Sequence, residues 1–240
     1  MIVEVCSNSY QSAVNAEEAG ADRIELCAEL AVGGITPSFG LIKKVSEKLS
    51  IPIHVLIRPR SGDFTYSEDE FQIMKINIAL CADLGVSGIV SGVLHSDGTL
   101  DKTRTGELIS AAGDLQFTFH RAFDWVIDPV KTLLELEDLG VDNILTSGGG
   151  QSAVEAINQL VLWREKAKKC VIMPGGGIRE HNALFFKNKG FDAIHLSGIK
   201  FSKTLEKKPE LSMNNASYLR DDEIALTDPK IVRAIIQSTK

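Results

Sequence analysis

The stretch Gly20-Ala-Asp-Arg-Ile-Glu-Leu26 returns three times in altered form. The copies are Gly-Val-Ser-Gly-Ile-Val-Ser at 85–91, Gly-Val-Asp-Asn-Ile-Leu-Thr at 140–146 and Gly-Phe-Asp-Ala-Ile-His-Leu at 190–196. In each, a glycine ends a helical pattern and a short apolar strand follows. Glycine suits that place because a helix commonly ends on a left-handed residue. The copies stand 65, 55 and 50 residues apart, too far for one strand–helix unit and right for two. Four further strands fit between them, at 2–6, 52–58, 115–120 and 170–174. Helix starts alternate with the strands. Ser67 with Glu70 and Ser152 with Glu155 have capping-box spacing before helices over 71–84 and 153–168. Asp128-Pro129 and Asp228-Pro229 place an N-cap before a proline. Eight alternations in 240 residues predict an α/β TIM (β/α)8 barrel, one domain over 1–240. A doubly wound open sheet is the alternative; the fourfold repeat and the length favour closure. Residues 202–227 lack periodicity and read as an irregular segment before the last helix, serving as a lid, a subunit contact or a mobile loop.

Composition narrows the function. A hydrophobic share of 44% supports a sizeable core, and a net charge of −6 argues against nucleic acid or an anionic membrane as main partner. No run of about 18 apolar residues occurs, and MIVEVCSNSY has neither the basic nor the long apolar part of a signal peptide. The four cysteines lack metal-finger spacing, and without a secretion signal the expectation is reduced thiols in a cytoplasmic setting.

In a barrel, chemistry sits at the carboxyl ends of the strands. Strand parity points Val3, Val5, Ile24, Leu26, Ile53, Val55, Ile57, Phe117, Phe119, Ile194 and Leu196 toward the helices. Glu4, Cys6, Arg23, Glu25, Cys27, His54, Arg58, Thr118, His120 and His195 then face inward. So polar an interior is either a paired network, Arg58 or Arg23 with Glu4 and Glu25, or a catalytic one. Glu25 or His120 would be the general acid or base, with Glu4 and Arg58 beside them. Ile53 to Tyr66, IHVLIRPRSGDFTY, brings Arg58 and Arg60 to the third strand end, where they would hold an anionic group. Gly175, Gly176 and Gly177 after strand seven, and Ser197-Gly198 after strand eight, stand where many barrels bind phosphate. The Ser147–Gly150 run is a weaker candidate. No lysine ends a strand, which disfavours a Schiff-base aldolase. Cys6 and Cys27 each follow an inward glutamate by two residues on neighbouring strands. Two facing thiols suit Cu(I), or form a buried pair able to oxidise. Cys81 and Cys170 read as structural.

Glu4-Val5-Cys6, ADRIELCAEL and GGITPS within 21–38, LIRPRSGDFTYS at 56–67, GVLHSDGTLD, FHRAFD, LTSGGG and MPGGGI form a set of motifs spread over nearly the whole length. Together they resemble the CutC family, the copper homeostasis proteins. Ser61 stands where the family more often has glycine. The resemblance implies a cytoplasmic TIM barrel, often a homodimer, with a role in copper handling that would fall on Cys6 and Cys27. Two functions therefore stay open: a Cu(I)-binding protein, and an enzyme acting on a small anionic, phosphorylated substrate.

Overall fold

In the computed structural model, which describes residues 1–214 and 220–240, each repeat glycine ends a helix in the left-handed region. Their φ values are 90° at Gly20, 69° at Gly85, 89° at Gly140 and 78° at Gly190. Each is followed by an even-numbered strand: β2 (Arg23–Leu26), β4 (Gly88–Ser91), β6 (Asn143–Thr146) and β8 (Ala193–Leu196). The odd strands are β1 (Ile2–Ser7), β3 (Ile53–Leu56), β5 (Gln116–Phe119) and β7 (Val171–Pro174). All eight are parallel, in the spatial order β7-β6-β5-β4-β3-β2-β1-β8. A parallel bridge between Gly175 and His195 brings the β7 and β8 edges together, so the sheet is nearly closed into a barrel.

The helices α1 (Tyr10–Glu18), α2 (Phe39–Ser46), α3 (Glu68–Asp83), α4 (Lys102–Ala112), α5 (Pro129–Leu139), α6 (Ile157–Lys166), α7 (Glu180–Asn188) and α8 (Pro229–Thr239) form the outer ring. The Ser67/Glu70 capping box is present at α3, and Asp128 and Asp228 cap α5 and α8 with proline at the first turn. The second capping box forms only by half, with Glu155 N–H donating to Ser152 Oγ at 3.4 Å. α6 begins at Ile157 rather than 153, because Ala153 N–H donates to Gly176 O and ties residues 152–156 to the β7 loop instead.

The outward set expected from parity forms the layer between sheet and helices, with Phe117, Phe119, Ile24 and Leu26 among its fully buried members. Inside the barrel two smaller apolar clusters remain, Cys6–Cys27–Leu56–Val90 and Leu145–Met173–Ala193. The segment 202–227 is only partly irregular: its ends belong to an antiparallel pair, β9 (Ile199–Lys203) and β10 (Glu223–Thr227). Its residues 215–219 lie outside the described residues. Side chains of α1 hold β10: Asn15 donates to Thr227 O at 2.8 Å, and Thr227 N–H donates to Ser12 Oγ at 3.1 Å. Among the described residues no helix is long and apolar enough to cross a membrane.

Candidate functional site

Register assembles the floor of the site. Glu4 lies level with Arg23 of β2 and with His195 of β8, and Cys6 lies level with Glu25. Arg23 Nε donates to Glu4 Oε2 at 2.5 Å, and His195 Nδ1 lies 2.7 Å from Glu4 Oε1. The paired network expected for Arg23 is therefore present. Burial alone would raise the Glu4 carboxyl, but the His195 hydrogen bond and the Arg23 charge outweigh it and hold it at about 2. Glu25 Oε2 stands 3.4 Å from His195 Nδ1, within ion-pair reach but without a hydrogen bond. Burial raises Glu25 to about 7 against the opposing charge of His195. Burial would lower His195, but Glu25, Cys6 and Glu4 together raise it well above its ordinary value. An imidazolium thus sits between an ionised carboxylate and one poised near neutrality, an arrangement able to give or take a proton at the cavity floor. Glu4 itself is fully buried, so it orients His195 rather than meeting a ligand.

Above this floor opens a cavity of about 420 Å³. Arg58 enters it from the end of β3, and here the expectation of an ion pair with Glu4 or Glu25 is not met. Its guanidinium donates to the carbonyls of Val32 (2.8 Å), Gly34 (2.8 Å) and Gly62 (2.7 Å). Among the described residues no carboxylate pairs with it. A guanidinium has five N–H donors; the Tyr66 hydroxyl lies against this one, and the Nε–H is left without a partner. His120, at the end of β5, is buried beside it. Ala122 N–H donates to His120 Nδ1 at 3.2 Å, which places the ring proton on Nε2. That Nε2–H has no partner. Burial and the Arg58 charge push the His120 pKa down to about 3, so at neutral pH the ring is a neutral donor. This suits His120 to binding rather than to the acid–base role expected of it. Gly92 leaves it space: a Cβ there would lie 2.7 Å from His120 Nδ1.

Arg60 is engaged elsewhere. Its Nε donates to Glu70 Oε1 at 2.6 Å and its Nη2 reaches Asp63 Oδ1 at 3.2 Å, outside the cavity lining. Gly176 and Gly177 line the cavity with φ of 94° and 81°, whereas Gly175 packs into the wall under Leu145. Ser197 lines the cavity and Gly198 does not; the chain passes from Gly198 into β9, so no helix starts after β8. In the Ser147–Gly150 loop the N–H groups of Ser147 and Gly149 already bind the Asp124 carboxylate at 3.0 and 3.2 Å. That loop carries its own anion.

Cys6 Sγ and Cys27 Sγ are 3.4 Å apart, with Cys6 at the cavity floor and Cys27 sealed beneath it. The contact with Cys27, and then burial, raise the Cys6 thiol well above its ordinary value. Cys6, Glu25 and His195 offer ligand atoms within 4.8 Å of one another. Cys81 and Cys170 are buried away from the cavity. Among the lining residues, sequence reasoning gave no role to Phe64, Trp125, Arg121 or Arg179. The two arginines stood within quoted motifs or next to them, at FHRAFD and after MPGGGI, where a cation at a strand end was the available signal.

The CutC family profile matches residues 1–200. A CutC family protein of Edwardsiella ictaluri is 45% identical over 197 residues, covering 82% of this chain and 78% of its own. A human copper homeostasis protein cutC homolog is 40% identical over 98% of this chain and 87% of its own. The crystal structure of CutC from Streptococcus agalactiae aligns with a TM-score of 0.79 at 32% identity, over 82% of this chain and 98% of that one. The chain belongs to the CutC family.

Proposed function

We propose that the barrel mouth binds a small anionic molecule and transfers a proton to or from it. The observation that carries this is the pair of buried, unsatisfied donors, Arg58 Nε–H and His120 Nε2–H, in one cavity. Buried polar groups are nearly always satisfied, and no carboxylate of the described residues fills that role. An anion entering the cavity supplies the missing acceptor. Glu25 and His195 then lie at its floor as the proton-transfer pair. The test is a titration of acetate and inorganic phosphate followed by tryptophan fluorescence, since Trp125 stands at the mouth. Wild type binds, and Arg58→Lys, which keeps the charge but loses the Nε–H, binds at least tenfold more weakly. Equal binding by both proteins, or no binding by wild type, overturns the reading.

A second reading, Cu(I) held as cargo by Cys6 and Cys27, is favoured by their 3.4 Å approach. Two soft thiols suit Cu(I), and binding would release their protons. A cytoplasmic setting and a homodimer, which the family resemblance implies, belong with this reading. Anaerobic copper titration of wild type, Cys6→Ser and Cys27→Ser decides it, because equal stoichiometry in all three removes the cysteines from the site.

A further inference from the structure

The cavity has a second pole. In the β7–α7 loop, among the described residues, the N–H groups of Gly176, Gly177 and Ile178 donate to nothing. Successive free N–H groups of this kind form an anion-binding nest. Arg179 follows directly; it donates to Ile178 O and no carboxylate of the described residues pairs with it. The Arg121 guanidinium lies over Gly176, whose added Cβ would come within 3.7 Å of it, and Asp124 holds it there through a 2.7 Å ion pair. A residue larger than glycine at 176 would be strained by its φ of 94°.

This pole faces the first. β3, which carries Arg58, and β7 stand four places apart in a ring of eight, on opposite walls of one cavity. The two poles differ in kind. The Arg58–His120 pole is buried, and offers one positive charge and a neutral ring N–H. A dianion there would leave a buried charge unmatched, so the pole suits a carboxylate. The nest is more open to water and offers three N–H groups and the Arg179 guanidinium, with the Arg121 guanidinium, paired to Asp124, beside them, which suits a phosphate. Between them lie Glu25 and His195.

We infer that the ligand is a small phosphorylated carboxylic acid, bound across the mouth with its carboxylate at Arg58 and His120 and its phosphate at the 176–178 nest. The inference rests on the proposed anion-binding function and adds the second group and its place. The atoms between the two anionic ends then pass over the Glu25–His195 pair, where proton transfer would act.

Calorimetric titration of the full chain tests it, with glycolate, 2-phosphoglycolate, glycerate, 3-phosphoglycerate and glycerol 3-phosphate as probes. At least one phosphorylated acid binds tenfold or more tightly than both its parent acid and glycerol 3-phosphate. Arg179→Gln with Arg121→Gln returns that compound to the affinity of the parent acid and leaves the parent acid unchanged. Both arginine side chains reach the surface, and in the double variant Asp124 keeps its hydrogen bonds from Thr146, Ser147 and Gly149; an unchanged circular dichroism spectrum checks that it folds. The inference is overturned if neither phosphorylated acid gains over its parent, or if the gain survives the double variant. Failure of the underlying function looks different: the parent acids then bind Arg58→Lys as well as wild type.

Discussion

Two walls of the same barrel are built on opposite plans. The wall of β8, β1 and β2 presents His195, Glu4, Arg23 and Glu25 to the interior, all within one chain of contacts. The wall of β5, β6 and β7 presents the uncharged Thr118, Asn143, Leu145 and Met173; Asn143 donates to Thr118 at 3.3 Å, and Met173 Sδ accepts from Arg23 Nη2 across the barrel at 3.6 Å. Charges crowded on one wall shift each other's protonation, and that is where acid–base function can arise. The strands of the other wall bring no charge into the barrel, and above it the β7 loop contributes backbone N–H groups instead. In the proposed function, proton chemistry and anion recognition thus occupy different sides of one cavity.

The contrast is broken most severely by Glu4→Gln. Removing this carboxylate leaves Arg23 and His195 buried without their shared partner, and costs about 3–5 kcal/mol in denaturant unfolding. Asn143→Val on the opposite wall removes one neutral hydrogen bond and costs about 1 kcal/mol. Similar losses for the two variants would erase the distinction between the walls.

The next effect is on pH dependence. Glu25 ionises near 7 in the fold against an ordinary 4.5. A raised acid favours the folded state fully below 4.5, and that advantage is lost as pH climbs toward 7. His195, also raised, acts in the same direction at higher pH, whereas Glu4 withdraws stability only as pH falls from 4.5 toward 2. Glu25→Gln therefore flattens the stability profile between pH 4.5 and 7, by up to about 1.4 kcal/mol per pH unit. Urea midpoints across that window measure it; an unchanged slope would show that Glu25 ionises normally.

Gly92→Ala sharpens the binding side. Its methyl group meets the His120 ring and costs about 1–3 kcal/mol by overpacking, and acetate binding weakens with it. Arg60→Gln has the smallest effect. Its partners Glu70 and Asp63 are partly solvated, so the loss stays under about 1 kcal/mol and acetate affinity is unchanged. A large loss of affinity there would return Arg60 to the anion site.

Much of this layout was legible in the sequence because period and parity are local properties. The glycine repeat specified the even strands, and alternation separated Val3, Ile24 and Ile194 from Glu4, Glu25 and His195. The thiol pair followed from equal offsets on adjacent strands. What stayed hidden depends on acceptors that come from distant loops. Arg58 is held by carbonyls of Val32, Gly34 and Gly62, which no side-chain pattern encodes. Arg60 looked free because Glu70, read only as a helix-capping residue, also accepts from its guanidinium. The donor role of His120 rests on one backbone N–H, that of Ala122. β9 and β10 gave no signal because a strand pair open to solvent needs no apolar face.

That pair has a consequence for the order of assembly. α8 packs against α1 and α7 to complete the outer ring, yet the chain reaches it only after the detour through β9 and β10. Lengthening such a detour is cheap at equilibrium, about 0.6 kcal/mol per doubling. The kinetic consequence is of another kind, because the bond from Thr227 to Ser12 joins residues 215 positions apart. Contacts of such separation form slowly and late. This corner of the barrel should therefore govern how quickly the protein unravels more than how quickly it forms.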